Sequence, residues 1–385
     1  MRVTLVLHDR LDPNAGGGGT VLGLGSQLAA GGARVEYCSF DLLPSRLSHN
    51  TKTIIWPAYL AWRLRRTMRR NPQDVIDASL GDAWLWQQLD PRMSGKAVMV
   101  ARSHGLIHLA HQTELAEAGA GRKQLSWRYP LYWGGFRIWE VAKTLTQADI
   151  ALFLNPLERD YAVEQLGVEP SRARIVPNGI PDAFLEAPME AAPLEGASPI
   201  RIAQVGGWRY LKGVNNSVEA ITEILQRHPN VTMTFAGTGV PAEEISDRFP
   251  AQVRERVRVV PSFARETLPE VLSGHHIHLF PSLAEGFGLG LVEAMACGLA
   301  PVTTRVGGPA TLVEDGKNGL LVPPAETPRI VDALERLLAD RELLRSLQLA
   351  ARESARPFAL SRVAAQTREI YDDAAERHAG ERQRS

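Results

Sequence analysis

Two glutamates, Glu285 and Glu293, stand on either side of a glycine-rich turn in the stretch EGFGLGLVEAMACG. The apolar run Ile277–Phe280 before the turn is typical of a buried strand, and the residues from Leu289 onward are typical of a helix. The first N–H groups of a helix lack intrahelical partners and can bind an anion, while glycines let a ligand approach the main chain. Carboxylates beside such a turn would accept hydrogen bonds from hydroxyl groups. This combination favours a nucleotide-sugar site.

The same stretch also fits an ordinary strand-to-helix turn. In that interpretation Glu285 and Glu293 stabilise the positive end of the helix dipole and bind no ligand. The residues of the turn, taken alone, leave both interpretations open.

Short apolar strands alternate with helical stretches in two successive runs, which indicates βαβ units around parallel sheets. The first run predicts the strands Val3–Leu7, Ala33–Phe40, Val75–Ala78, Lys96–Arg102 and Ile150–Leu154. The second run predicts the strands Ile200–Val205, Val231–Ala236, Val257–Val260, Ile277–Phe280 and Ala300–Thr303, with helices over Val214–Arg227, Leu291–Ala296 and Pro328–Leu338. A stretch rich in proline, alanine and glutamate, residues 181–199, separates the runs and is predicted to be a linker. Two α/β domains facing a cleft would bind ligands beyond the carboxyl ends of their strands.

The composition excludes several classes of protein. Lysine plus arginine and aspartate plus glutamate both number 43, so the formal net charge of zero argues against a nucleic-acid binder that relies on bulk charge. Two cysteines, Cys38 and Cys297, are too few for a disulfide framework and fit a reducing cytoplasm. The opening residues lack a signal-peptide core, and no apolar run is long enough to span a bilayer. We therefore expect a cytoplasmic protein.

The stretch LFPSLAEGFGLGLVEAMACGLAPVTTRVGG resembles the signature of the retaining glycosyltransferases of family 4, with its E-x7-E motif at Glu285 and Glu293. Similar segments run along nearly the whole chain: the glycines at 16–19, RSHGL at 102–106, VPNG at 176–179, QVGGWRYLKG at 204–213, FAGTG at 235–239 and DGKNGLLVPP at 315–324. The resemblance implies a GT-B fold and transfer of a hexosyl group from a nucleoside-diphosphate sugar with retention at the anomeric carbon. It also implies an acceptor domain over 1–180, a donor domain over 200–358, and a terminal helix, Ser361–Glu376 within 359–378, that returns to the first domain.

The resemblance assigns roles to the residues of the turn. Glu293 matches the glutamate that binds both ribose hydroxyls, and Glu285 matches the one that faces the hexose near its 3-hydroxyl. Lys212 matches the lysine that binds the diphosphate and offsets the charge on the leaving group. The other expected donor contacts are the main-chain amides of Phe287, Gly288 and Leu289, together with Gly286, Gly237 and Phe263.

The chain departs from the family pattern at two positions. Gly207 stands where the family usually has an arginine, and Arg209, two residues later, is expected to reach the phosphates in its place. Thr311 stands where a glutamate is usual, which puts one minor donor contact in doubt.

The first run contributes His104, which leaves a strand at its carboxyl end. His104 matches the family histidine near the reactive centre of the donor, although a lone histidine is often structural. In these retaining enzymes the leaving diphosphate is thought to take the acceptor proton, so His104 would hold the 6-hydroxyl of the sugar or stabilise charge. The glycine loop, Gly16, Gly17, Gly18 and Gly19, is expected near the diphosphate or acceptor, or else is a flexible surface loop.

Two stretches concern the acceptor, which would be a glycan, a lipid-linked sugar or a small molecule. Residues 56–70 form a basic amphipathic helix that could lie on an anionic membrane or pack its apolar face on the sheet. Residues 126–141 carry six aromatic side chains with Arg128 and Arg137, and could form an acceptor wall, contact a membrane, or be partly buried. Either stretch would make a cytoplasmic protein peripheral at the inner membrane face.

Two other functions stay open. A nicotinamide-dependent oxidoreductase would suit Rossmann-like halves, and Asp41 follows the second strand as a ribose-binding acid would, but GGGGTVLG lacks the G-x-G-x-x-G register. A glycosyltransferase-like protein that only binds is the second alternative, because of Gly207. No DxD motif, which binds the metal in metal-dependent glycosyltransferases, stands at a plausible strand end, and the adjacent Asp372 and Asp373 lie in the terminal helix. We therefore expect no essential metal, and no cofactor besides the donor substrate.

Overall fold

The fold was analysed in a computed structural model, which describes residues 1–186 and 199–384 of the chain. The chain divides into two compact units. The first contains Met1–Gly179 and Leu360–Ser385, and the second contains Ile180–Ala359. The predicted linker at 181–199 falls largely outside the described residues; its first part forms a short helix, α8 (Asp182–Glu186), in the second unit.

The first unit contains a sheet of six parallel strands in the order β2-β1-β3-β4-β5-β6. The strands are β1 (Arg2–Leu7), β2 (Arg34–Ser39), β3 (Val75–Ser79), β4 (Val98–Arg102), β5 (Ile150–Phe153) and β6 (Ala173–Ile175). Helices flank the sheet: α1 (Gly16–Ala30), α2 (His49–Arg70), α3 (Trp84–Leu89), α4 (Pro91–Ser94), α5 (Ile107–Gly119), α6 (Arg137–Gln147), α7 (Pro156–Leu166) and the terminal α17 (Leu360–Arg384). A π-helical turn, Tyr132–Phe136, precedes α6.

The second unit repeats this architecture with the strand order β12-β11-β10-β7-β8-β9, again all parallel. Its strands are β7 (Ile200–Val205), β8 (Val231–Ala236), β9 (Val257–Val260), β10 (Ile277–Phe280), β11 (Ala300–Thr304) and β12 (Leu320–Val322). Its other helices are α9 (Val214–Arg227), α10 (Ala242–Ser246), α11 (Ala251–Arg254), α12 (Leu268–Leu272), α13 (Leu289–Ala296), α14 (Pro309–Leu312), α15 (Thr327–Ala339) and α16 (Arg341–Ala355). The predicted fold class, two Rossmann-like domains with parallel sheets, is confirmed.

Each sheet has one point where the strand order reverses. In the first sheet the reversal lies between β1 and β3, and in the second it lies between β7 and β10. Open α/β sheets bind their ligands outside the carboxyl ends of the strands at such a topological switch point. The loops after β1, β3, β7 and β10 are therefore where functional side chains are expected.

The four glycines at 16–19 do not form a loop, contrary to the prediction. They make up the first turn of α1, where Thr20 donates a hydrogen bond to the Gly16 carbonyl oxygen at 2.7 Å. A Cβ on Gly18 would stand 2.6 Å from the carbonyl oxygen of Asp12. Glycine is thus required there because the segment after β1 packs directly on the start of the helix.

The basic stretch 56–70 is the second half of the longer helix α2, and its apolar face is buried. Trp56, Leu60, Leu64 and Met68 pack in the core against the sheet. The opposite face exposes Ile54 and Trp62, and the guanidinium of Arg66 lies 5.8 Å from the centre of the Trp62 ring. Of the two interpretations of this stretch, packing of the apolar face on the sheet is therefore the one that the structure shows.

The aromatic stretch 126–141 forms a turn, the π-helical segment and the start of α6, and much of it is exposed. Trp127, Trp133, Phe136 and Trp139 are each more than two-fifths exposed. Arg137, grouped with these aromatic side chains in the sequence, is instead buried, and its guanidinium donates to the carbonyl oxygens of Leu80 and Gly81 at 3.0 and 3.1 Å.

The terminal helix α17 packs on α1 in the first unit. Its Tyr371 is fully buried and donates a hydrogen bond to Asp77 of β3. Arg102, at the end of β4, donates to Asp77 Oδ2 at 2.8 Å and to the Tyr371 hydroxyl at 3.2 Å. The cluster Asp77–Arg102–Tyr371 thereby ties the terminal helix to the central strands.

Candidate active site

Gly288 and the pair Gly307 and Gly308 shape the turn after β10 in the second unit. Gly288 caps α13 with a φ of +93° and offers no side chain to the first helical N–H groups. A Cβ on Gly307 would stand 1.9 Å from the Glu285 carbonyl oxygen, and one on Gly308 would stand 2.1 Å from that of Phe287. The loop after β11 therefore supports the turn by main-chain contact, which requires glycine at both positions.

The loop after β7 packs against the turn after β10, so the switch point of the second sheet is compact. Leu283 donates its N–H to the Leu211 carbonyl oxygen at 2.8 Å. Gly213 has a φ of +68°, and a Cβ there would stand 1.9 Å from the Pro281 carbonyl oxygen. A Cβ on Gly290, in the first turn of α13, would meet the Val205 carbonyl oxygen at 3.4 Å.

This packing brings Lys212 and Glu285 together. The Lys212 ammonium pairs with Glu285 Oε2 and lies 5.2 Å from the centre of the Phe280 ring. The Ser282 hydroxyl donates to the same carboxylate oxygen at 3.4 Å. The Lys212 side chain is 31% exposed and that of Glu285 is 14% exposed, so both can reach a ligand.

Glu293 has a partner that the sequence did not reveal. It lies in α13, is almost buried, and accepts from Arg265 Nε at 2.8 Å, with Arg265 Nη2 2.7 Å from the same oxygen. Burial raises the pKa of Glu293, and the guanidinium of Arg265 opposes that rise. The ion pair thus favours a carboxylate, which accepts hydrogen bonds only.

Arg209 lies over the glycine that departs from the family pattern. A Cβ on Gly207 would stand 3.5 Å from Arg209 Nε, so the Arg209 side chain folds back across that position. Within the described residues the Arg209 guanidinium has neither a hydrogen-bond nor an ion-pair partner. The geometry fits the idea that Arg209 serves in place of an arginine at 207.

Two further predicted donor residues lie together at the end of β8. Gly237 has a φ of +72°, and a Cβ there would stand 3.0 Å from the ring of Phe263 and 3.9 Å from the Gly206 nitrogen. The ring is half-buried. Thr311, by contrast, donates its hydroxyl to the Gly308 carbonyl oxygen at 2.8 Å and brings no charge to the site.

His104 follows β4 in the first unit, on a short loop that a buried glutamate holds. Glu158 accepts from the Ser103 hydroxyl at 2.8 Å and from the Leu106 N–H at 2.9 Å, on either side of His104. Burial, with the charges of Arg102 and His8, lowers the pKa of His104 to about 3. The ring is therefore neutral near pH 7 and can both donate and accept a hydrogen bond.

The predicted residues fall into two groups. Lys212, Arg209, Glu285, Glu293, Gly237 and Phe263 belong to the second unit with the α13 turn, while His104 and the glycines at 16–19 belong to the first. Sequence reasoning missed Arg265 and Glu158. Glu158 had a local signal, because Asn155 caps α7 and the Asn-x-x-Glu spacing is typical of a helix start. Arg265 had none, since its pairing with Glu293 spans 28 residues.

Asp41, which would bind a ribose if the chain were an oxidoreductase, already accepts hydrogen bonds from residues of the first unit. It accepts from the Leu11 N–H and from the Ser39 hydroxyl, each at 2.8 Å, and the Leu11 bond is the main reason why its pKa is lowered. Asp41 thus anchors the segment that leads into α1.

Family models match both units. The model described as "Glycosyltransferase Family 4" matches residues 15–184, and the one described as "Glycosyl transferases group 1" matches residues 199–340. The chain is 32% identical over 222 residues to D-inositol 3-phosphate glycosyltransferase of Acidothermus cellulolyticus, a match that covers 53% of this chain and 49% of that protein. It is 31% identical to alpha-maltose-1-phosphate synthase of Mycolicibacterium smegmatis, covering 64% of this chain and 69% of that protein. The chain thus spans about half to two-thirds of the length of these relatives.

Solved structures share the fold. Sucrose-phosphate synthase of Thermosynechococcus elongatus superposes with a TM-score of 0.77 at 20% identity, covering 97% of this chain and 98% of that one. HepE of Anabaena, in complex with UDP-glucose, superposes with a TM-score of 0.68 at 16% identity, covering 97% and 100%. The predicted GT-B fold and the resemblance to family 4 are confirmed.

Proposed function

The chain belongs to glycosyltransferase family 4, and from this premise we propose that it transfers a hexosyl group from a nucleoside-diphosphate sugar to an acceptor hydroxyl. One observation carries the proposal: Lys212, Glu285 and the start of α13 meet at the switch point of the second sheet, with Glu293 one turn further along. A cation and free helical amides suit a diphosphate, and two carboxylates suit sugar hydroxyls.

The diphosphate is assigned to Lys212, Arg209 and the main-chain amides of 287–289. Charge grows on the leaving diphosphate as the glycosidic bond breaks, so a fixed ammonium stabilises the transition state more than the ground state. Lys212 is already held by Glu285 and by the Phe280 ring. Little conformational entropy is therefore lost in orienting the Lys212 side chain when the donor binds.

The two carboxylates are assigned to different parts of the donor. Glu293 would accept hydrogen bonds from the ribose hydroxyls, with Arg265 maintaining its charge. Glu285, on the turn itself, would contact the hexose. A ribose contact is the same in substrate and transition state, whereas a hexose contact changes as the anomeric carbon reacts.

We propose that His104 binds a hydroxyl of the transferred sugar. Its neutral ring suits hydrogen bonding and cannot supply positive charge. We further propose that transfer proceeds with retention and without a metal, because Lys212 supplies the positive charge at the diphosphate. We favour transfer over the binding-only alternative, because the Arg209 side chain passes over Gly207, with Nε 3.5 Å from a Cβ built there, and could reach the phosphates from the same loop.

The acceptor surface is assigned to the first unit, where the exposed aromatic side chains Trp127, Trp133, Phe136 and Trp139 lie. Tryptophan rings favour the boundary between lipid and water, and Arg128 lies 5.1 Å from the centre of the Trp127 ring. We propose peripheral contact of this patch with an anionic membrane. None of the helices in the described parts of the chain is long and apolar enough to span a bilayer.

Vesicle sedimentation tests this contact. Wild type should sediment with vesicles that contain anionic phospholipid, and Trp127→Ser should sediment less. A matched exposed change elsewhere in the first unit, Leu115→Ser, should have no effect. Equal sedimentation of all three proteins would overturn the membrane proposal and leave the transferase proposal intact.

The transferase proposal is tested by incubating the protein with UDP-, GDP- and ADP-glucose, starting with UDP because the HepE structure contains it. Donor consumption and the anomeric configuration of the product are followed by proton NMR, with and without EDTA. We expect one nucleotide to support transfer with retention in both conditions. Inversion would overturn the stereochemical assignment, loss with EDTA would overturn metal independence, and no consumption or binding of any donor would overturn the function.

A further inference from the structure

A histidine and a buried aspartate meet at the switch point of the first sheet. His8 follows β1 and Asp82 follows β3, the two strands between which the order reverses. His8 Nδ1 lies 3.0 Å from Asp82 Oδ1 and 3.2 Å from Oδ2. The Asp82 carboxylate has no exposed surface, whereas the His8 side chain is 31% exposed.

A buried guanidinium, that of Arg137, lies on the inner side of Asp82. Arg137 Nη2 lies 3.8 Å from Asp82 Oδ1, and Arg137 is itself fixed by the carbonyl oxygens of Leu80 and Gly81. Gly81 has a φ of +84°, and a Cβ there would stand 2.4 Å from Arg137 Nη1. Only glycine allows the guanidinium to lie directly beneath the loop that carries Asp82.

A carboxylate at one ring nitrogen determines the tautomer of a neutral histidine. In the neutral ring, hydrogen bonding to Asp82 favours the proton on Nδ1, and Nε2 is then an acceptor. Within the described residues His8 Nε2 has no hydrogen-bond partner. His8 therefore presents an oriented acceptor at the edge of the sheet where ligands bind.

His8 also lies near enough to His104 for the two side chains to interact electrostatically. The two rings belong to neighbouring parts of the same sheet edge, after β1 and after β4. A ligand bound by one ring would therefore lie close to the residues around the other ring.

We propose that His8, oriented by Asp82, binds a hydroxyl of the acceptor, with His8 in contact and Asp82 as a positioning residue. The inference rests on the proposed transferase function and adds the residues that would recognise the acceptor. His8 Nε2 would accept a hydrogen bond in a fixed direction, so it would bind a group that donates one, such as a hydroxyl or an amine.

The chain supplies a matched control. His49 and Asp9 form a second histidine–aspartate pair in the first unit, with Nδ1 4.0 Å from Oδ1, and both side chains are more than half exposed. This pair lacks the buried carboxylate and lies at the start of α2. His49→Gln should therefore leave transfer unchanged.

The experiment uses the full chain with UDP-glucose as donor and glucose 1-phosphate, D-inositol 3-phosphate and myo-inositol as acceptor probes, with water as the background acceptor. For the probe that wild type glycosylates, His8→Gln should raise the acceptor KM about ten-fold or more, because a hydrogen bond is lost. UDP affinity by calorimetry, enzyme-catalysed UDP-glucose hydrolysis and thermal stability should stay near wild type. Asp82→Asn should give the same KM change and, by ring nitrogen NMR, should alter the His8 tautomer.

The outcomes separate this inference from the function on which it rests. Wild-type acceptor kinetics in His8→Gln, or an equal loss in His49→Gln, would overturn the assignment and leave the transferase function intact. Parallel loss of UDP affinity and transfer in His8→Gln would also overturn it. If wild type neither binds UDP nor consumes any of the donors, the transferase function falls and this inference falls with it.

Discussion

The switch points of the two sheets share a topology but differ in the chemistry that they present. In the second sheet, the loops after β7 and β10 carry Lys212, Glu285 and the free amides at the start of α13. In the first sheet, the loops after β1 and β3 carry a half-exposed imidazole, His8, backed by the buried Asp82. One edge presents charges and main-chain donors, and the other presents an imidazole oriented by a buried carboxylate.

This difference suits two partners of unequal charge. A nucleoside diphosphate requires cations and amides whatever sugar it carries. An acceptor is recognised by its hydroxyl pattern, for which oriented neutral groups are specific. The same topology thus provides a ligand-binding edge in both units, and the side chains after the strands determine what binds there.

The largest expected effect comes from removing the cation of the second switch point. Lys212→Ala should lower kcat by about 10²–10³, as loss of a preorganised transition-state contact does. It also leaves Glu285 without its partner, which should weaken binding of the diphosphate by repulsion. Steady-state kinetics with the active donor measures both effects.

Lys96→Ala is a suitable control, because Lys96 precedes β4 in the first unit. It should leave kcat and UDP affinity unchanged. If Lys212→Ala retained wild-type turnover, the second switch point would not stabilise a leaving group, and the contrast between the two edges would lose its basis.

The next effect in size separates the two glutamates of the same turn. Glu293→Gln should weaken UDP and UDP-glucose binding alike, by about 1.5–3 kcal/mol for the charge-assisted bonds lost. Glu285→Gln should leave UDP affinity near wild type and depress kcat. Calorimetry with UDP and with UDP-glucose distinguishes the two results.

Stability provides the internal check, because Glu293 pairs with Arg265 and Glu285 pairs with the more exposed Lys212. Glu293→Gln should lower the Tm more than Glu285→Gln does. The double variant Glu293→Gln/Arg265→Gln should recover part of that loss but no donor affinity. If both single variants bound both ligands normally, the glutamates would serve only the helix.

Much of the second unit could be predicted from local sequence, and the reason is physical. The turn and helix of Gly286–Glu293 form one continuous segment, so the spacing of their residues predicts the local geometry. Lys212 lies on another loop, 73 residues from Glu285, and only the family resemblance predicts that it belongs to the same site. All five predicted strands of this unit occur in the structure, whereas β12, only three residues long, was missed. Short strands leave too few residues for a pattern to show.

The pair His8 and Asp82 in the first unit could not be predicted, because neither residue belongs to a motif that resembles the family. His8 and Asp82 are 74 residues apart, and nothing in either neighbourhood indicates the other. The glycines at 16–19 were wrongly predicted to form a loop. Position 18 requires glycine because the Asp12 carbonyl oxygen packs against it, and local sequence does not show this contact. The sequence did not distinguish the buried Arg137 from Arg128, because the carbonyl groups that Arg137 binds lie on another loop.

A smaller effect is expected from replacing His104, which lies at the carboxyl edge of the first sheet. His104→Ala should lower kcat about ten-fold through a lost hydrogen bond, with UDP affinity near wild type. Because burial lowers the pKa of His104 to about 3, its ring stays neutral from about pH 5 to 8, and this residue should add no titration to the pH–rate profile. A profile whose acid limb disappears in His104→Gln would contradict that assignment.

The smallest expected effect on turnover comes from the terminal helix. It tests whether this helix influences only the carboxyl edge of the first sheet. Tyr371→Phe removes the hydroxyl shared by Asp77 and Arg102, and should lower the free energy of unfolding by about 1–3 kcal/mol because a buried donor–acceptor is lost. Arg102 lies two residues before His104, so kcat should fall a few-fold while UDP affinity stays unchanged. Tyr59→Phe removes an exposed hydrogen bond to Leu42 in the same unit and should change neither quantity. If Tyr371→Phe weakened UDP binding as strongly as it lowered kcat, the two edges would respond together, and the separation between a donor edge and an acceptor edge would fail.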